Sequence, residues 1–170
     1  MQQPLTLYKL IILYMLDSVS YPLTNTQFSD FILGNNYTSF FHLQQAIGEM
    51  LEAQLIESET VRKVSYYTIS ETGQTTLAFF EKNISPAIKE EIHEFFSTNG
   101  TQIRKRVFTL SDYTLNANRE YDVHLQVKER NATLIDLTIQ VPTQEAAETA
   151  CDHWADKCQS IYAHIIDELF

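Results

Sequence analysis

Glycine is scarce, four residues in 170. Backbone cradles for phosphate need glycine so that the main chain can approach the ligand, and the sequence holds neither a phosphate-binding glycine loop nor a nucleophile elbow. Cysteine is scarcer: Cys151 and Cys158 are the only two. That is too few for a disulfide framework, and a reducing, cytoplasmic setting is the expectation. On a helix these two lie about 10 Å apart along the axis, and Cys151 and His153 point ~200° apart around it. Neither pair can chelate one ion or close a bridge, so both thiols are read as small buried hydrophobes. His93, His124 and His164 lack ligand-like spacing. No catalytic residue, no metal and no cofactor is expected, and an enzyme is the least supported class.

Long apolar runs are missing too. The most apolar stretch, Leu5 to Leu16, is too short to cross a bilayer and has neither a basic start nor a small-residue cleavage site. It reads as a buried first helix, and no membrane partner is expected. No internal repeat or low-complexity tract is present.

Positive charge is the remaining deficit. Twelve Lys and Arg face 22 Asp and Glu, for a net charge of −10. Residues 1–83 hold four cations against eight carboxylates and residues 84–170 hold eight against fourteen, so no basic domain hides in the total. No Arg or Lys lies between Lys9 and Arg62. Affinity for nucleic acid rests heavily on cations that neutralise phosphates, so this composition counts against such a partner.

What is present is a chain 44% hydrophobic and 12% aromatic, enough to bury a core and too apolar for disorder. The most informative stretch is Thr24 to Ile69. Thr24 or Asn25 caps a short helix over 26–33 that Gly34-Asn35-Asn36 ends. A longer helix opens at Thr38 or Ser39, with Phe40, Leu43, Ile47, Met50 and Leu51 on the stripe expected to face a core. Thr38, His42, Gln45, Glu49 and Glu52 lie opposite. After Leu55-Ile56 the pattern becomes alternation, through Thr60-Val61 and Ser65 to Ile69, with Arg62-Lys63 at the turn. Two helices and such a hairpin make a winged helix–turn–helix, whose second helix enters a DNA major groove.

Ser70 to Lys82 forms a further helix and closes a first domain, 1–83. The second domain, 84–170, opens at Ser85-Pro86 with a helix expected to continue through Asn99-Gly100 to about Lys105. Strands follow over 107–115, 121–128 and 133–141, joined by turns at 116–119 and 129–131, as an antiparallel meander with one buried and one wet face. His124 falls on the wet face. Pro142 stops the sheet and Thr143 caps a helix to about Leu169, whose stripe of Ala147, Ala150, Trp154, Cys158, Ile161, Ile165 and Leu169 covers the meander. At ~40 Å that helix exceeds what three strands need. The surplus, with Tyr162 and Ile166 beside the stripe, points to a partner subunit. The fold class is therefore α+β: an N-terminal winged helix–turn–helix, then a three-stranded antiparallel sheet covered by a long C-terminal helix.

Contact with DNA would fall to Tyr37, Thr38, Ser39, Phe41, His42 and Gln45 on the second helix and to Arg62 and Lys63 on the wing. Glutamine pairs with adenine, and hydroxyls and helix N-terminal amides hold phosphates. Arg104-Lys105-Arg106, the densest basic cluster, is read as opposing the dipole at the C-terminal end of its helix.

The stretches 7–17, Tyr21-Pro22-Leu23-Thr24-Asn25, Leu43-Gln44-Gln45-Ala46-Ile47, 84–90 and Leu134-Ile135-Asp136-Leu137-Thr138 resemble an uncharacterised family of bacterial winged-helix proteins, classified as a domain of unknown function. More distantly, the N-terminal half is similar to the PadR and MarR regulators, which dimerise through helices outside the winged helix. The resemblance implies a winged-helix N-terminal half, a family-specific C-terminal half and a regulatory role, and the surplus of the last helix adds the homodimer. The expectation is a dimeric winged-helix transcriptional regulator. The alternative is a protein-interaction or ligand-sensing module without significant DNA affinity, the sensor's pocket lying between the sheet and helix 143–169.

Overall fold

The computed structural model describes residues 3–129 and 132–170. Its elements run α1 (Gln3–Asp17), β1 (Leu23–Thr24), α2 (Asn25–Gly34), α3 (Phe40–Glu52), β2 (Ile56–Val61), β3 (Val64–Ile69), α4 (Glu71–Phe80), a 3-10 turn (Glu81–Asn83), α5 (Pro86–Phe108), β4 (Thr109–Leu115), β5 (Tyr121–Glu129), β6 (Ala132–Val141) and α6 (Gln144–Leu169). The fold is α+β, with two three-stranded antiparallel sheets and a long C-terminal helix. Two compact units divide the chain: Met1–Thr60 with Val64–Thr101, and Val61–Lys63 with Gln102–Phe170. The chain passes from one unit to the other inside α5.

The first unit is built around α1. Leu10 to Leu13, Met15 and Leu16 are all buried, and four consecutive buried residues mean that the helix is covered on every side. Each such side chain contributes ~1.5–3 kcal/mol on leaving water. Thr24 precedes α2, and its backbone N–H and hydroxyl both donate to Gln27 Oε1, at 2.7 and 2.6 Å. Leu23 and Thr24 also pair with Tyr67 and Tyr66, adding a third strand to the β2–β3 hairpin. A two-residue strand has no period of its own, so no local pattern marks it. In α3, Leu43, Ala46, Ile47 and Met50 are buried. Phe40, placed on that stripe by its spacing, is instead 59% exposed. It is the first residue of the helix, with its side chain a turn short of the core. Gly73, in the first turn of α4, is packed so closely that a Cβ there would lie 2.1 Å from the Leu55 carbonyl oxygen. Ser85 accepts from the Ile88 N–H at the start of α5, which runs through Asn99-Gly100 to Phe108. The next strand therefore begins at Thr109 rather than Val107.

In the second unit β5 is central and both neighbours are antiparallel, Val123 standing opposite Tyr113 and Ile139, and Leu125 opposite Ser111 and Leu137. The expected turn at 129–131 lies largely outside the described residues. Thr143 caps α6 by accepting from the Ala146 N–H. Beneath the helix Trp154, Ala147, Cys151 and Cys158 pack with Val123, Leu125 and Ile135, and the Trp154 indole N–H donates to the Gln126 carbonyl at 3.0 Å. Both thiols are free and buried, and burial pushes their pKa values up. Leu169, assigned to the covering stripe, is 71% exposed: the stripe outruns the sheet. Lys105 forms an ion pair with Asp156 at 2.5 Å, so its charge is used side chain to side chain and not only against the helix dipole. The Arg106 side chain lies outside the described residues.

Candidate functional site

α3 is placed by α1 and α2, against which it packs. Asn25, the first residue of α2, and Gln44 of α3 exchange two amide hydrogen bonds, each 2.8 Å, which fixes the two helices in register. Asn36, at φ 56°, takes the left-handed backbone that Asn tolerates better than most residues and turns the chain between them.

Of the residues proposed from sequence, Thr38, Ser39, Phe41, His42 and Gln45 come together on this surface. Ser39 is the N-cap, accepting from the His42 N–H. Thr38 Oγ1 and Ser39 Oγ each lie 3.3 Å from His42 Nδ1, so two hydroxyls and an imidazole form one exposed polar knot. Phe41 is 73% exposed, its ring edge-on to that of His42 at 5.9 Å. Tyr37 is committed elsewhere. Its ring packs on Phe31 at 5.9 Å and its hydroxyl donates to Glu91. Burial first, then the Glu91 hydrogen bond and charge, push its pKa up to about 12.

Gln45 donates its amide to Glu49 at 3.0 Å, and Lys9 of α1 meets the same carboxylate at 2.6 Å. These bonds, Lys9 first and Gln45 second, hold the Glu49 carboxyl below its ordinary range. The anion on this face of α3 is therefore ionised but paired. Lys9 is forty residues away in sequence, and no local pattern announces that contact. A bidentate pair with adenine would need both ends of the Gln45 amide, so the bond to Glu49 would have to be exchanged.

Arg62 and Lys63 form the two-residue turn of the β2–β3 hairpin, with φ of 48° and 63°, the signs of a type I′ turn. Both belong to the second compact unit. There the Arg62 guanidinium lies 3.9 Å from the Asp152 carboxylate and 5.6 Å from the centroid of the Tyr113 ring. Lys63 is exposed.

An open concavity of about 340 Å³ is lined by Leu51, Gln54, Ile56, Glu57, Ser70, Glu71 and Thr72. Its two carboxylates and absence of lining cations suit no phosphate. Among the described residues, no three His, Cys, Asp or Glu side chains are placed to hold a metal ion, and no helix is long and apolar enough to cross a membrane.

Comparison with curated proteins and with solved structures finds no match. A family model, described as a domain of unknown function (DUF4364), matches residues 8–169. With the match running from α1 to the last turn of α6, the chain belongs to the DUF4364 family.

Proposed function

We propose that the protein is a dimeric DNA-binding transcriptional regulator whose first unit is a winged helix–turn–helix. The observation that carries the reading is the pairing of α2 with α3 through Asn25 and Gln44, followed by the β2–β3 hairpin. It leaves the Thr38, Ser39, His42 and Gln45 face of α3 exposed beside a helix N-terminus. Those groups can donate to phosphate oxygens and accept from or donate to base edges. The pairing of Glu49 with Lys9 removes part of the repulsion that the net charge would impose. The DNA would be held weakly per contact, because the face has no arginine. A ligand-sensing role has less support, since the layer it would use, under α6, is filled by Trp154 and its neighbours.

A protein-interaction role on the same surface is the second reading. Phe40 and Phe41, at 59% and 73% exposure, favour it, because adjacent exposed aromatic rings are common anchors of protein interfaces. Arg62, engaged by Asp152 and Tyr113, favours it as well.

The test is retention of pooled genomic duplex fragments by wild type, by a His42→Ala, Gln45→Ala variant and by a Phe40→Ser, Phe41→Ser variant. The regulator reading expects discrete sequences from wild type and their loss with the first variant. No retention at low salt would overturn it in favour of a protein partner.

A further inference from the structure

The two outer strands of the second sheet are finished differently. At β4 the Asp112 carboxylate accepts from the backbone N–H of Tyr113 at 2.8 Å, so a main-chain donor is satisfied locally and a charge stands on the edge. Both are devices by which natural sheets avoid pairing with another chain. β6 is the opposite edge; among the described residues no side chain there satisfies a main-chain donor, and its carboxylate is drawn towards β5, Asp136 pairing with His124 at 2.5 Å and Gln126 at 2.9 Å. Over Ala132–Val141 it contains no proline, glycine or lysine, and its one charged residue is Asp136. Pairing with β5 is irregular at Leu134, since Ile135 stands opposite Val127 and Thr133 opposite Lys128, and the regular run 135–141 presents about 23 Å of half-paired backbone.

The side chains beside that edge are also incompletely covered. Ile139 shares the helix-covered face with Val123, opposite which it stands, yet Val123 is fully buried and Ile139 is 48% exposed. The cover that α6 provides reaches Ile135 of β6 but leaves Ile139 half open.

We infer that β6 is the dimer interface, pairing antiparallel with β6 of a second copy about a two-fold axis at Leu137, to give one continuous six-stranded sheet. The strand is self-complementary about that residue. The register sets Ile135 against the second copy's Ile139, so that a buried and a half-covered isoleucine meet on the apolar face. It also sets Asp136 against the second copy's Thr138, a carboxylate opposite a hydroxyl donor. A register centred on Asp136 would place two like charges directly opposite each other, which is unfavourable. Growth ends at the dimer, because the edges left outside are the two β4 strands with their Asp112 carboxylates. This assignment rests on the dimeric part of the reading above and is independent of whether DNA is bound.

The experiment is sedimentation equilibrium at micromolar concentrations on wild type, Thr138→Asp and Thr138→Lys, with Trp154 fluorescence confirming an intact second core. Thr138 is exposed, so neither change disturbs packing. The aspartate would face Asp136 of the other copy twice per dimer and should raise the dissociation constant about tenfold. The lysine would face the same carboxylate and should leave the dimer as tight or tighter. A monomeric wild type would overturn both the dimer and its interface. A dimer weakened by neither variant, or equally by both, would leave the dimer standing and overturn the assignment to β6.

Discussion

The two units solve the burial problem in opposite ways. The first wraps a short apolar helix, α1, on all sides, so its core is closed and its outer surface is free to carry chemistry at the start of α3. The second lays a single helix over one face of a sheet, so its core is a layer with open sides. A closed core tolerates an irregular periphery, including a two-residue strand. A layered core depends on one large side chain at its centre and leaves a strand edge to be satisfied by something else.

The largest effect should come from removing that centre. Trp154→Ala deletes a buried indole and its bond to the Gln126 carbonyl, and should cost about 3–5 kcal/mol. Chemical denaturation followed by far-ultraviolet circular dichroism would measure it, while amide exchange should find the α1 core still protected. Loss of protection in α1 as well would break the contrast between the units.

Next is overfilling of the closed core. Gly73→Ala would set a methyl group 2.1 Å from the Leu55 carbonyl oxygen and 2.9 Å from Ile69 Cγ1, forcing α4 away from the chain below it at about 3 kcal/mol. Trp154 is the only tryptophan, so its emission in the folded variant should stay native while amides of the first unit exchange faster.

A smaller effect attaches to Tyr37. Its pKa is raised to about 12, so the hydrogen bond to Glu91 contributes fully below the ordinary tyrosine value near 10 and is lost as pH rises from there through 12. Tyr37→Phe should lower stability by about 1 kcal/mol at neutral pH and remove the highest step from the phenolate absorbance titration. Persistence of that highest step in the variant would show that the Tyr37 hydroxyl is not held by Glu91.

The smallest change should stabilise. Lys63 holds φ 63°, a conformation that costs a residue with a Cβ about 1 kcal/mol and glycine almost nothing. Lys63→Gly should gain several tenths of a kcal/mol once glycine's greater unfolded-state freedom is offset. If Lys63 also contacts DNA phosphate, the same variant should flatten the salt dependence of binding.

How far the sequence could be read follows the same division. The periodic elements were legible: the helix carrying Leu43, Ile47 and Met50, the two alternating strands that carry Val123 and Ile135, and the helix carrying Trp154 announce their buried faces. Phe40 misled because a helical stripe says nothing about where the core ends, and Leu169 misled at the other end of the chain for the same reason. β1 was hidden because its existence depends on Tyr66 and Tyr67, some forty residues on. At the candidate site the residue types and their common face were readable. The Lys9–Glu49 pair, the commitment of Tyr37 to Glu91 and the capture of Arg62 by Asp152 were not, since each joins residues far apart in sequence.

The central claim is that the start of α3 meets DNA. Its most direct test is amide chemical-shift perturbation on adding a pool of genomic duplex fragments at low salt, repeated at higher salt. The account predicts shifts centred on Thr38, Ser39, His42 and Gln45 that shrink as salt rises. Shifts absent from this face, or unmoved by salt, would contradict it.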